Sequence, residues 1–253
     1  MNKMKTLITF LLVSFFALNT NAQVTKPVIK KSVAQKTGIK TTVVKKIINP
    51  VTNTKKPLTM PGLRVKVTTD SGVMIVRLYD KTPLHRDNFI KLASAHFFDS
   101  LLFHRIINGF MIQGGDPKSK NAQPNDMLGN GDIGYTIPAE FDTALFHKKG
   151  ALAAARTNNP EKASSGCQFY IVQGKKITDD ELNMIEMQKG IKYSLKKRNL
   201  YKSIGGTPFL DMDYTVFGEV ESGLNIIDKI ASAQKSMYDR PLSNIHMYIE
   251  VIK

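Results

Sequence analysis

The sequence predicts a mainly β domain that begins near residue 61 and closes into a barrel. Short segments in which apolar and polar residues alternate recur along the chain, as at 63–68, 73–79 and 245–252. Two other segments show the wider apolar spacing of an amphipathic helix. The last alternating segment is able to pair with the first, which would remove the exposed edges of an open sheet. With 253 residues and 42% apolar content, the chain is long enough to build the core of such a domain.

Residues 1–22 have the pattern of a secretory signal peptide. Two lysines precede an uncharged, mostly apolar run at 6–18, and small residues follow at 20–22. The apolar run is too short to span a membrane comfortably. We therefore expect an exported protein, periplasmic or extracellular, whose mature chain starts at Gln23; the alternative is an uncleaved N-terminal anchor.

Residues 23–60 predict a basic, flexible linker, because they lack aromatic residues, acidic residues and sustained apolar periodicity. The chain carries a net charge of +15, but residues 1–60 contain 11 lysines and no acid, so 15 − 11 leaves about +4 for residues 61–253. This balance predicts that the folded part does not bind nucleic acid. The linker is either a simple spacer or a cationic arm that sits on anionic envelope surfaces.

The first predicted elements of the domain are two strands joined by a tight turn. The alternating segments at 63–68 and 73–79 flank a typical hairpin turn at 70–72. Thr82 and Pro83 then predict the start of a helix, with threonine as the N-cap and proline in the first turn. The buried face expected for this helix comprises Phe89, Leu92 and Ala93.

The second half of the chain predicts further strands at 150–155, 168–173 and 214–220, before the closing strand. Between them, residues 175–204 are a helical insertion whose start is marked by a capping box at 178–181. Apolar insertion residues expected to cover the barrel are Leu182, Ile185, Ile191 and Leu195. The insertion also carries a basic cluster of Lys192, Lys196, Lys197 and Arg198. The helical spacing that indicates the second helix of the barrel is that of Leu224, Ile227 and Ile230.

The segment at 103–117, FHRIINGFMIQGGDP, places a single cation in apolar surroundings. A strand through its second half puts Met111 and Gln113 on the same face. Arg105 is able to join that face from a neighbouring strand. The resulting surface has an apolar floor, one cation and one amide, which suits a polypeptide with an apolar side chain and exposed carbonyls. Taken alone, such an arginine is more often a surface residue with a buried stem.

Four motifs, in order along the chain, resemble those of the cyclophilins, a family of peptidyl-prolyl cis–trans isomerases. They are FHRIINGFMIQGGDP at 103–117, ALAAART at 151–157, SSGCQFYIVQG at 164–174 and FLDMDYTVFGEV at 209–220. The resemblance covers roughly residues 61–253 and implies a closed eight-stranded antiparallel β-barrel capped by two helices. It also implies acceleration of X–Pro bond rotation in polypeptides, assisting the folding of exported proteins, without a metal or a cofactor.

The resemblance implies that Arg105 is the catalytic residue. It assigns the proline pocket, the contacts to the peptide backbone and the pocket wall to Phe110, Met111, Gln113, Ala155, Arg156, Gln168, Tyr170, Phe209, Leu210 and Tyr214. His104 also belongs to the family pattern, and we interpret its role as mainly structural. Phe169 is expected to point to the core.

Three residues depart from the usual pattern of the family. Phe209 stands where tryptophan is familiar, and phenylalanine lacks the indole N–H donor. Tyr170 replaces a usual phenylalanine, so its hydroxyl needs a partner at the pocket floor. Tyr214 stands where a histidine is common. We expect these changes to affect ligand preference more than activity, and in particular to weaken binding of the cyclic peptide cyclosporin.

The expected partners are proline-containing polypeptides or unfolded client proteins, with membrane contact only through an uncleaved signal peptide or the basic linker at 23–60. The histidines lack metal-site spacing, and Cys167, the only cysteine, is interpreted as a core thiol that forms no intramolecular disulfide. An alternative from another class of protein is a peptide-binding chaperone or scaffold that uses the same surface around Arg105 without turnover. The insertion is either a solvated helical excursion or an accessory wall that selects clients.

Overall fold

Eight antiparallel strands close into a barrel in a computed structural model that describes residues 62–252. The predictions for 1–22 and 23–60 lie outside the described residues. The strands are β1 (Arg64–Thr69), β2 (Gly72–Leu78), β3 (Leu101–Ile107), β4 (Met111–Gly114), β5 (Thr136–Ile137), β6 (Ala151–Ala154), β7 (Ser164–Ser165), β8 (Phe169–Val172), β9 (Val216–Ser222) and β10 (His246–Ile252). The α-helices are α1 (Pro83–Ser94), α2 (Asp179–Lys189), α3 (Leu195–Ser203) and α4 (Leu224–Ala231).

The order around the barrel is β1, β10, β3, β4, β8, β6, β9 and β2, which returns to β1. β5 and β7 form a separate two-stranded sheet. The predicted hairpin is confirmed, because Thr69 pairs with Gly72 across a two-residue turn. The predicted closure is also confirmed, since β10 pairs with β1 over the whole of β1.

The core is formed by the inward face of the barrel and the helices α1 and α4. Along β1, Val65 and Val67 are buried while the residues between them are partly exposed, as the alternation predicts. Phe89 of α1 packs on Phe169 of β8 with ring centroids 5.4 Å apart. Cys167 belongs to the same core, and burial raises the pKa of its thiol to about 11, which supports its interpretation as a core thiol.

The start of α1 is capped differently from the prediction. Thr82 occupies the N-cap position, but its side chain makes no cap hydrogen bond within the described residues and donates instead to the Tyr79 carbonyl at 3.4 Å. The carboxylate of Glu140 accepts hydrogen bonds from the backbone N–H groups of Leu84 and His85, each at 3.0 Å. A distant loop therefore caps the helix.

The insertion folds as the helices α2 and α3, and its predicted capping box is present between Thr178 and Glu181. Leu182 is fully buried against Tyr193 and Tyr201 in a small cluster of its own. The expectation for Leu195 is wrong, because this side chain is 74% exposed at the first residue of α3.

The basic cluster of the insertion is partly neutralised by neighbouring carboxylates. Arg198 pairs with Asp179 at 2.8 Å and with Glu186 at 3.2 Å, and Lys192 pairs with Glu186 at 3.1 Å. The two pairs of Arg198 tie α3 to α2. No helix within residues 62–252 is long and apolar enough to cross a membrane.

Candidate active site

A pocket of about 190 Å³ lies over β3, β4, β6 and β8 and brings together most of the predicted site residues. In register, Arg105 of β3 stands opposite Gln113 of β4. The pairing of β4 with β8 places Gln113 beside Tyr170. The pocket is lined by Arg105, Phe110, Met111, Gln113, Ala155, Arg156, Tyr170, Leu210 and Tyr214.

The Arg105 side chain is held at two points, although it is 43% exposed. Its Nη1 donates to Oε1 of Gln113 at 3.4 Å, and its Nε lies 3.7 Å from Oδ2 of Asp239. Asp239 is itself fixed to the barrel, because its carbonyl accepts from the backbone N–H of Ile106 at 2.8 Å. The sequence did not single out Asp239, which lies in a loop more than a hundred residues downstream.

The amide of Gln113 is oriented by a second amide. Its Nε2 donates to Oε1 of Gln168 at 3.1 Å. Nε2 of Gln168 in turn donates to the carbonyls of Gly129 at 3.1 Å and Gly131 at 2.6 Å. Gln168 is buried, and through these hydrogen bonds it positions Gln113. It was expected to line the Arg105 pocket, but it lines an adjacent cavity of about 500 Å³.

The hydroxyl of Tyr170 is buried and has a hydrogen-bond partner. It lies 2.9 Å from Nε2 of His147, whose Nδ1 lies 2.7 Å from Oδ1 of Asp211. Since a carboxylate only accepts, Nδ1 of a neutral His147 carries the proton and Nε2 accepts from Tyr170. The Tyr201 hydroxyl donates to the other oxygen of Asp211 at 2.6 Å. Burial opposes ionisation, yet the hydrogen bonds from His147 and Tyr201 hold the pKa of Asp211 below its ordinary value.

This buried network leaves the aromatic ring of Tyr170, not a free hydroxyl, at the pocket floor. The ring belongs to an apolar cluster with Met111 and Val216. His147 and Asp211 were not predicted, because nothing in their local sequence marks them and they meet only after the barrel has closed.

The wall of the pocket is a turn that precedes β9. The predicted strand at 214–220 begins two residues late, at Val216, because the N–H of Tyr214 donates to the Leu210 carbonyl at 3.3 Å. The Arg156 guanidinium lies 4.7 Å from the ring centroid of Tyr214. Its Nε donates to the Asp213 carbonyl at 2.9 Å, so this second cation is fixed at the wall.

Two predicted residues contribute differently from the expectation. Phe209 is 50% exposed and lines a neighbouring groove, although its ring lies 5.7 Å from that of Phe110. The backbone N–H of Ala155 donates to Gln168 at 2.9 Å and its carbonyl accepts from Ser165 at 2.8 Å. Since both backbone groups of Ala155 are used inside the chain, we infer that its methyl group is what it offers to the pocket.

His104, beside Arg105, is buried where the pairing of β3 with β4 is irregular. Neither ring nitrogen has a hydrogen-bond partner within residues 62–252, and burial lowers its pKa to about 4. A neutral, buried ring agrees with the structural role predicted for it. In the same part of the chain, no three His, Cys, Asp or Glu side chains are grouped as metal ligands.

The closed barrel carries a pocket that combines apolar side chains with a guanidinium positioned at its edge. Residues 64–251 match the family model described as "Cyclophilin type peptidyl-prolyl cis-trans isomerase/CLD". The chain belongs to this family of cyclophilin-type peptidyl-prolyl cis–trans isomerases, which confirms the resemblance.

Similar proteins support the same assignment. The chain is 33% identical over 184 residues to the "Putative peptidyl-prolyl cis-trans isomerase" of Staphylococcus haemolyticus, covering 72% of this chain and 87% of that protein. A crystal structure of a Cryptosporidium parvum cyclophilin-type isomerase covers 76% of this chain and 98% of its own, with a TM-score of 0.57 and 21% identity. The same protein in the presence of the dipeptide Ala-Pro covers 75% and 99%, with a TM-score of 0.54 and 21% identity. At this identity, the two crystal structures show likeness of fold.

Proposed function

We propose that Arg105 is the catalytic group with which this chain accelerates rotation about X–Pro bonds, and that its substrates are exported polypeptides. The observation that supports this most is the position of the Arg105 guanidinium. It is held by Gln113 and lies near Asp239, in a pocket to which Phe110, Met111 and Leu210 supply apolar surface. The structure of the Cryptosporidium relative in the presence of Ala-Pro pairs this fold with a proline-containing dipeptide.

The chemistry requires no covalent step. Rotation about an X–Pro bond faces a barrier of about 20 kcal/mol, because amide resonance is lost in the twisted state. In that state the proline nitrogen regains its lone pair and becomes a hydrogen-bond acceptor. A guanidinium directed at this nitrogen stabilises the twisted state more than either planar state, which is the condition for catalysis. One preorganised donor of this kind contributes about 3–4 kcal/mol.

The remaining pocket residues bind and orient the substrate. Phe110, Met111 and Leu210 supply the apolar surface on which a proline ring rests. Gln113 is oriented by Gln168, and we propose that it donates to a carbonyl next to the proline. Arginine suits the catalytic role, because a guanidinium stays charged when it is partly desolvated.

The export of this chain is part of the proposal and rests on its first 22 residues. Their two lysines, apolar run and small residues are typical of a signal peptide. The clients would then be polypeptides that fold outside the cytoplasm, where slow X–Pro isomerisation also limits folding.

A protease-coupled assay with a short proline peptide tests the catalytic role of Arg105. Arg105→Ala should lower kcat/KM by about two to three orders of magnitude while peptide binding weakens less. Arg64→Ala, on the outer surface of β1, is the matched control and should retain activity.

Circular dichroism would check that both variants remain folded. Near-full activity in folded Arg105→Ala would refute the mechanism. A wild-type protein that binds proline peptides without turnover would favour the chaperone or scaffold alternative.

A further inference from the structure

A second groove, of about 430 Å³, lies between α2 and the segment that walls the Arg105 pocket. Fewer than half of the residues that line this groove are polar. The apolar side chains that line it are Ile177, Met184, Ile185, Pro208 and Phe209. Since α2 is part of the insertion, this groove is a surface that the insertion adds to the barrel.

The groove lies next to the proposed proline pocket. Pro208–Leu210 is a single turn of 3₁₀ helix, in which Phe209 lines the groove and Leu210 lines the pocket. Phe209 also lies 5.7 Å, ring to ring, from Phe110 of the pocket. An extended polypeptide advances about 3.3–3.6 Å per residue, so a chain crossing these two rings reaches the groove within a few residues.

The α2 wall is held in place before any ligand arrives. Leu182 anchors the helix in the buried cluster of the insertion. At the other end of α2, Lys189 Nζ donates to the Asp211 carbonyl at 2.8 Å and also pairs with Asp213. Both acceptors belong to the loop that walls the proline pocket. A wall fixed in this way spares an occupant much of the ordering cost of binding.

The chemistry of the groove favours an uncharged, apolar occupant. The charged residues Lys175 and Glu181 line it too, but they pair with each other at 3.0 Å. Met184 is 58% exposed, and the flexible, polarisable thioether adapts to side chains of different shape. A surface of this kind would accept leucine, methionine or phenylalanine without selecting strictly among them.

We propose that the groove between α2 and Pro208–Leu210 binds an apolar side chain of the same polypeptide whose proline occupies the Arg105 pocket. This inference rests on the proposed function and adds a substrate preference to it: an apolar residue a few positions from the proline, on one side of it. The insertion is then an accessory wall of the active site.

A peptide series tests the preference with the full-length chain. One leucine is moved position by position along a serine-rich peptide with a central proline, on both sides of it, and Kd is measured by calorimetry. We expect one or two adjacent positions on one side to lower Kd about tenfold, as partial burial of a leucine side chain would. No dependence of Kd on the leucine position would overturn the proposal.

Two variants on the same helix identify the surface responsible. Met184→Gln should reduce the leucine advantage to about twofold, because glutamine keeps the length and helix propensity of methionine but is polar. Met187→Gln is the matched control: Met187 is 82% exposed on α2 and lies outside the groove lining, so the advantage should persist. Persistence of the full advantage in Met184→Gln would also overturn the proposal.

The assay separates this inference from the proposed function. If the leucine-free peptide is turned over but Kd does not depend on the leucine position in the series, the groove proposal alone is refuted. Absence of turnover on every proline peptide would refute the proposed function, while the leucine dependence of Kd would still decide the groove.

Discussion

Arg105 and Gln113 owe their positions to side chains that come from other parts of the barrel. Gln168, just before β8, holds Gln113, and Asp239, in a loop before β10, lies near Arg105. Preorganisation of this kind matters for catalysis, because a donor that is already oriented has little reorganisation to undergo in the transition state. In the proposed mechanism, the neighbours of the pocket therefore orient the two residues that would contact the substrate.

His104 predicts a specific loss of stability in mild acid. Burial lowers its pKa from 6.5 to about 4, so between these values the unfolded chain takes up a proton that the folded chain refuses. The contribution of neutral His104 to the free energy of unfolding is fully present above about pH 6.5 and is lost as the pH falls towards 4. At pH 4.5, wild type should lose about 2–3 kcal/mol more of its unfolding free energy than His104→Phe. Urea unfolding at pH 7.5 and 4.5 measures this difference, and equal losses in both proteins would contradict it.

Phe209 predicts weak sensitivity to cyclosporin. The residue is half exposed beside the pocket, where the resemblance to the family places an indole that donates to this ligand. Phenylalanine fills similar space but leaves a ligand carbonyl desolvated without a donor, which weakens binding about tenfold to a hundredfold. Phe209→Trp should therefore increase sensitivity while peptide turnover continues. Inhibitor titration of both proteins is the measurement, and tight inhibition that is equal in the two would refute the argument.

The ends of the helices show how elements depend on each other. The start of α2 is capped locally, by Thr178 and Glu181, and the sequence pattern predicted it. The start of α1 is capped by Glu140, which also accepts from the ring of His85 at 2.7 Å. A local motif is visible in a sequence, whereas a cap supplied from 56 residues away is not.

Removing the remote cap should destabilise the domain more than removing the local residue at the N-cap position. Glu140→Ala leaves two backbone N–H groups of α1 without their acceptor, and we expect it to lower the unfolding free energy by about 1–2 kcal/mol. Thr82→Val removes only a 3.4 Å bond to Tyr79 and should cost less. Chemical denaturation of the two variants and wild type gives the comparison. If Thr82→Val lowers the unfolding free energy more than Glu140→Ala does, Thr82 and not Glu140 is the residue that caps α1.

At the scale of the whole molecule, the sequence predicted what depends on local pattern and on family motifs. Alternation located the hairpin and the closing strand, and the motifs located the residues around Arg105. The network of His147 with Asp211, and the approach of Asp239 to Arg105, join residues that are far apart in the chain. Such contacts depend on strand register and loop path, which period and composition do not specify. For the same reason the motifs located Phe209 close to Phe110 but did not show that its side chain lines the neighbouring groove instead of the Arg105 pocket.

The barrel should fold and act without the N-terminal segment. Its closure joins β1, which starts at Arg64, to β10, so all eight strands lie within residues 62–252. Deleting residues 1–60 should therefore change the melting temperature by less than about 2 °C, which corresponds to under about 1 kcal/mol in a domain of this size. Turnover of a short proline peptide should be unchanged.

The same deletion lowers the net charge from +15 to about +4, because it removes 11 lysines and no acid. Any salt-sensitive binding of the full chain to anionic lipid vesicles should therefore disappear with the segment, since screening and loss of charge act on the same attraction. Calorimetry, the isomerase assay and vesicle sedimentation on both proteins supply the test. A control deletion of β10 should prevent folding, because it would open the barrel between β1 and β3. A large fall in the melting temperature of the 61–253 protein would contradict the linker interpretation and show that residues before 61 stabilise the domain.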